Sequence, residues 1–141
     1  MALDRHRNYK YIVLKMTQKL SLGQFEQLVL TAILTLGENA YGITITEKIE
    51  ELSRPKRIAL GPVYVTLDRL EDKGFVESWL SEPTAERGGR SKRMYRMKKA
   101  GEKALHQSAI TARRICDAVE QSWGEKIWNT IPGKWKPARQ R

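Results

Sequence analysis

Cysteine is nearly absent from this chain. Cys116 stands alone, so no disulfide can close within the chain, and a reducing compartment is expected. Histidine is as scarce: His6 and His106 have no Cys or His at ligand spacing and support no metal site. No apolar run approaches the roughly 20 residues that span a bilayer. The longest candidate, residues 28–36, is interrupted by Thr31 and Thr35. The first ten residues are polar and basic and lack the apolar centre of a secretory signal. These absences lead us to expect a cytoplasmic protein with no membrane association. No Ser-His-Asp, Cys-His, paired-carboxylate or phosphate-loop arrangement is recognisable, so neither enzymatic activity nor a cofactor is expected. With 141 residues there is room for one domain of ordinary size and a helical appendage.

What the chain does have is positive charge, +10 in all, and it is unevenly placed. Residues 1–20 carry Arg5, Arg7, Lys10, Lys15 and Lys19 against Asp4. Residues 21–82 hold ten acidic and six basic side chains. Residues 83–99 reverse the sign, with Arg87, Arg90, Lys92, Arg93, Arg96, Lys98 and Lys99 against Glu86. Residues 100–128 are balanced, and the tail adds Lys134, Lys136, Arg139 and Arg141. Basic termini are readily explained by solubility. A short internal cluster of seven cations is harder to explain that way, because like charges repel unless an anion comes to them. A polyanionic partner is expected, with nucleic acid ahead of a membrane surface.

The apolar pattern divides the chain into four parts: a basic extension (1–20), a globular domain (21–99), a long helix (100–128) and a basic tail (129–141). Residues 21–37 read as a helix, with Phe25, Leu28, Val29, Ala32, Ile33 and Leu36 on one face. Leu30 and Leu34 lie on the opposite face, so this helix is either central or pressed against another subunit. Gly37 ends it. Asn39 offers an N-cap for a second helix bearing Tyr41, Ile45, Ile49 and Leu52. That helix stops near Ser53, before Arg54-Pro55. Residues 58–60 suggest a strand fragment. A third helix opens at Gly61-Pro62, with proline at the first helical position. It buries Val63, Leu67 and Leu70, turns Pro62, Val65, Asp68, Arg69, Asp72 and Lys73 outward, and ends at Gly74. Residues 75–80 and 94–97 have strand character and flank a basic, glycine-bearing turn. The final helix presents Ala109, Ala112, Ile115, Cys116, Val119, Trp123 and Ile127 at spacings of three or four. At roughly 45 Å it outreaches so small a domain, and a second copy of itself is the simplest cover for its stripe. Gly124 is a place where it kinks or frays.

This order describes a mainly α fold with a small β-hairpin: a winged helix-turn-helix domain followed by a dimerisation helix. In such a domain the third helix enters the major groove and the hairpin tip lies along the phosphates. Arg69 and Lys73 point toward the groove, although Asp68 and Asp72 stand one turn away as alternative partners. Val65 and Thr66 are placed to meet a thymine methyl or a phosphate. Gly61 and Pro62 allow the helix N-terminus to approach a phosphate. On the wing, Gly88 and Gly89 leave Arg87, Arg90 and Lys92 on an exposed loop, while Arg93 and Arg96 read equally as solvent-facing strand residues. Thr44 is a further candidate for the DNA backbone. Cys116, on the apolar stripe, reads as a small buried hydrophobe.

The segments LGQFEQLVLTAILTLGENAYGITITEKIEE, LGPVYVTLDRLEDKGFVES and SEPTAERGGRSKRMYRMKKAGEKAL together resemble the PadR family of bacterial transcriptional regulators. The similarity runs from about Leu22 to Leu105. It implies a winged helix whose last helix pairs two protomers, packing with the partner's first helix, so that Leu30 and Leu34 join the dimer interface. It implies a DNA-binding regulator, most often a repressor, that acts as a homodimer on a palindromic site in double-stranded DNA. For Tyr64 it implies a phosphate contact through the hydroxyl, where the helical angle alone equally allows a half-buried packing residue. A small aromatic effector is also implied, with Trp123 and Trp128 as either stacking surfaces or plain dimer core. The competing expectation, from the acidic balance of residues 21–82, is a winged-helix adaptor that binds protein and does not read DNA.

Overall fold

Helix α1 (Gln24–Leu36) forms where apolar residues recur at helical spacing between two glycines. The Gly23 amide donates to Glu26 Oε1 at 3.1 Å. Gly37, at φ 58°, ends the helix with its amide on the Ile33 carbonyl. The computed structural model describes residues 8–10, 12, 21–83 and 90–124. Of the first group, residues 8–10 and 12 are helical.

A short 3-10 turn (Gly37–Asn39) leads into α2 (Gly42–Leu52). The N-cap is Tyr41, not Asn39. Thr44 does the capping chemistry: its hydroxyl accepts the Tyr41 amide at 3.0 Å and donates to the Asn39 carbonyl at 2.6 Å. After Ser53, residues 58–60 make no strand. The Ile58 amide is taken by Glu50 Oε1 at 3.0 Å, and Leu60 already opens α3 (Leu60–Asp72). Pro62 therefore sits at the third helical position. It is still in the first turn, where a missing N–H removes no intrahelical bond. Gly74, at φ 77°, closes the helix.

The hairpin pairs β1 (Val76–Leu80) with β2 (Arg93–Met97), antiparallel from Val76↔Met97 to Leu80↔Arg93. Val76 and Tyr95 face inward and are almost fully buried. The edge of β2 is held by the turn before α2: the Tyr95 amide donates to the Ala40 carbonyl at 2.9 Å, and Tyr41 bridges Met94. The third-strand position is thus filled by residues 40–41.

One core joins these elements. Val29, Leu30 and Ile33 of α1, Ile45 and Ile49 of α2, and Val63, Leu67 and Leu70 of α3 are buried with Val76 and Tyr95. Leu30 is fully buried here, so it has no surface to offer a second subunit. The expectation that it lies in a dimer interface is corrected: α1 is central at Leu30, while Leu34 on that side is 56% exposed.

The last helix, α4 (Lys99–Trp123), has 25 residues, about 37 Å. Its first turns belong to the core, through Ala104 and Leu105. Gly101 is buried there because a Cβ would meet the Phe75 carbonyl and lie 3.0 Å from Met97 Cγ. Gly124, at φ 69°, terminates the helix, its amide on the Glu120 carbonyl at 2.8 Å. The chain divides into two compact units, residues 1–108 and 109–141. Among the described residues no helix is long and apolar enough to cross a membrane.

Candidate nucleic-acid interface

The outer face of α3 follows from its inner one. Val63, Thr66, Leu67 and Leu70 are buried, which leaves Gly61, Pro62, Val65, Asp68, Arg69 and Asp72 exposed. Val65 is 52% exposed. The Arg69 guanidinium makes no hydrogen bond or ion pair with another described residue, so Asp68 and Asp72 do not tie it down.

Tyr64 lies between the two faces, 41% exposed. Its ring end rests on the first residue of α2. A Cβ at Gly42 would collide with the Tyr64 hydroxyl and come within 2.6 Å of Cζ. The hydroxyl therefore stands at the N-terminus of α2, where helical amides are unpaired and the macrodipole is positive.

Three expected contacts are redirected by the structure. Thr66 is only 8% exposed, and its hydroxyl donates to the Pro62 carbonyl at 2.9 Å. Thr44 is half-buried and spends its single hydroxyl proton within the α2 cap. Lys73 reaches back to α1, its ammonium 2.7 Å from Glu26 Oε2, and so clamps the two helices. The two threonines have their single donors engaged inside the fold, and a phosphate, which only accepts, would have to displace a bond already made; the Lys73 ammonium keeps two further donors beside its exposed pairing with Glu26.

The hairpin stays paired beyond its strands. The Ser81 amide donates to the Lys92 carbonyl at 2.7 Å, and the Lys92 amide donates to Ser81 Oγ at 2.9 Å. Arg90 and Lys92 are exposed. The Lys92 ammonium stands 4.3 Å over the Tyr41 ring, a cation–π contact that holds its stem while leaving the charge at the surface. Arg93 Nη1 donates to Ser78 Oγ at 2.9 Å, and Ser78 in turn donates to Glu71 Oε1 at 2.7 Å. Arg96 pairs with Glu77 and stacks on Trp79. Each of these last two cations has a donor engaged on the wing itself. Arg87, Gly88 and Gly89 lie outside the described residues.

On α4, Ala109, Ala112, Ile115, Cys116 and Trp123 are exposed and Val119 is half-buried. Ile115 is 58% and Trp123 63% exposed. Cys116 is therefore not a buried hydrophobe within a single chain. Ile127 and Trp128 lie outside the described residues. No group of three His, Cys, Asp or Glu that could hold a metal occurs among the described residues.

The sequence of residues 29–107, more than half of the 141, matches the Transcriptional regulator PadR-like family. The chain belongs to this family. Several solved PadR structures share its fold. A PadR family transcription regulator from Clostridium difficile R20291 is 25% identical at a TM-score of 0.61, over 72% of this chain and 100% of that one. PadR of Bacillus subtilis, solved in complex with operator DNA, is 26% identical at a TM-score of 0.51, over 61% of this chain and 47% of its own. A PadR family regulator from Eggerthella lenta is 23% identical at a TM-score of 0.56, over 84% and 97%. No curated protein matches the chain.

For this PadR-like protein, sequence reasoning overlooked Gly42 and the role of Tyr41. The Ala40-Tyr41-Gly42 run lies within the segments that carry the family resemblance. Its purpose was not legible there, because Gly42 has no need of an unusual φ, and only the approach of Tyr64 from another helix explains the missing side chain.

Proposed function

We propose that this protein is a homodimeric repressor that binds a near-palindromic operator in double-stranded DNA. The supporting observation is the exposed α3 face, with Arg69 unpaired among the described residues and a half-exposed Tyr64, on a domain whose wing carries Arg90 and Lys92. The complex of Bacillus subtilis PadR with operator DNA shows a family member using this fold on DNA. In our reading α3 enters the major groove with Gly61, Pro62, Val65 and Arg69 toward the bases and backbone. Tyr64, Arg90 and Lys92, together with Arg87, Gly88 and Gly89, grip phosphates. The exposed stripe of α4 meets a second copy, with Leu34 of the partner's α1 against it, and sets the spacing of two half-sites about 10 bp apart. Repression follows by occlusion of the promoter, in the cytoplasm where the DNA lies. Trp123 belongs to the dimer core, and it is also the described surface on which a flat aromatic effector would stack.

A fluorescently labelled duplex, selected by the full-length protein from a random pool, tests the reading by anisotropy. If each protomer neutralises about 6 phosphates, log affinity falls with log salt at a slope of about −5 per protomer. Binding no tighter than to random duplex removes the proposal. The acidic α3 pair, Asp68 and Asp72, favours one other reading, an adaptor that binds a basic protein surface. Complete absence of salt-sensitive DNA affinity would support it.

A further inference from the structure

We propose that Gly42 is a positioning residue: its missing side chain seats the Tyr64 ring against the start of α2 and so aims the Tyr64 hydroxyl at DNA. The inference rests on the DNA-binding reading above and deepens it. Gly42 is the first residue of α2 and is buried. Its backbone is ordinary helix, so no left-handed φ demands glycine. What demands it is space. Cζ and Cε1 of Tyr64 would stand 2.6 and 3.0 Å from a Cβ there, against about 3.5–4.0 Å for carbon atoms in contact. A side chain at 42 forces the ring back by about 1 Å, which is enough to break a hydrogen bond.

The same turn also fixes the wing. Ala40 accepts the β2 amide of Tyr95, and the Tyr41 ring lies under the Lys92 ammonium. Three consecutive residues thus touch both elements assigned to DNA: Ala40 and Tyr41 hold the wing, and Gly42 holds the recognition helix's tyrosine. Tyr64 is half-exposed and its ring end is the tip of a flexible side chain. It can retreat at little cost to the fold. The consequence of a Cβ therefore falls on the hydroxyl's position more than on stability.

The experiment is a double-mutant cycle on the full-length protein, with Gly42→Ala, Tyr64→Ala and both together, read by anisotropy on the selected duplex and by thermal unfolding. Gly42→Ala is expected to weaken binding about tenfold, the scale of one hydrogen bond to a charged group, with the dimer intact and Tm within a few degrees. In the Tyr64→Ala background the same change is expected to cost no further affinity, because nothing is left to displace. Undiminished binding by Gly42→Ala overturns the proposal, and so does an equal loss in both backgrounds. If Tyr64→Ala alone binds as tightly as wild type, the positioning role falls while DNA binding stands. If wild type selects no duplex at all, it is the DNA-binding reading that fails.

Discussion

Tyr95 shows how one side chain can link core and interface. It is 1% exposed, and burial raises its phenol above the ordinary value; Asp68, Glu71 and Tyr64 push the same way, and Arg93 opposes them. Below about pH 10 both folded and unfolded chains keep the proton, and the shift has no effect. Above it the unfolded chain loses the proton while the folded one holds it, so stability falls as pH rises. Urea denaturation of Tyr95→Phe against wild type across pH 8–11 should show the two curves separating only above about pH 10, with the variant losing less. Parallel curves would refute this. A second residue-scale contrast lies on α3. Thr66→Val removes only a hydroxyl bonded inside its own helix and should leave operator affinity within about twofold. Arg69→Ala removes a cation that pairs with no other described residue and should cost about tenfold, the range of a good base or phosphate contact. Anisotropy titrations at fixed salt compare the two directly.

At the scale of elements, junctions decide more than propensities. The α4 helix docks through Gly101, whose backbone lies against the Phe75 carbonyl while the Lys98 amide donates to that same carbonyl at 2.9 Å. Gly101→Ala places a methyl group against backbone, which cannot swing aside as a side-chain tip can. We expect a loss of about 1–3 kcal/mol, measured by urea denaturation, despite the better helix propensity of alanine. The helices themselves were legible in the sequence: Val63, Leu67 and Leu70 repeat at three and four, and Gly37 and Gly74 mark where two helices stop. Residues 58–60 were misread, since a β-branched start in a short apolar run also fits the loop before a helix. What resolved it was Glu50, eight residues away, taking the Ile58 amide. The Lys73 ion pair was hidden for a related reason. The sequence neighbours of Lys73 are Asp72 and Gly74, and nothing local reveals that Glu26 on α1 lies 2.7 Å from its ammonium.

For the whole molecule, the proposed function assigns assembly to the apolar stripe on α4 and grip on DNA to the basic wing. Ile115→Asp places a charge among residues that, in the proposed dimer, face their own copies. It should shift the protein to monomer in sedimentation and leave the thermal transition of residues 1–108 in place. Operator affinity should fall about 10²-fold or more, because the second half-site is no longer delivered by linkage. A dimer that survives the change would refute the assignment of the stripe.

The sequence by itself determined the succession of three helices, a hairpin and a long helix, the apolar inward residues of α3, the location of the basic excess and the resemblance to a family. These are properties of periodicity, charge and local backbone preference, which act within a few residues. The tertiary structure decided which polar groups remain free. The Thr44 and Thr66 hydroxyls are spent on partners inside the fold, Lys73 is drawn to Glu26 on α1, Leu30 is sealed in the core, and Gly42 leaves room for a tyrosine arriving from another helix. Such commitments arise when distant segments meet, and spacing along the chain carries no record of them.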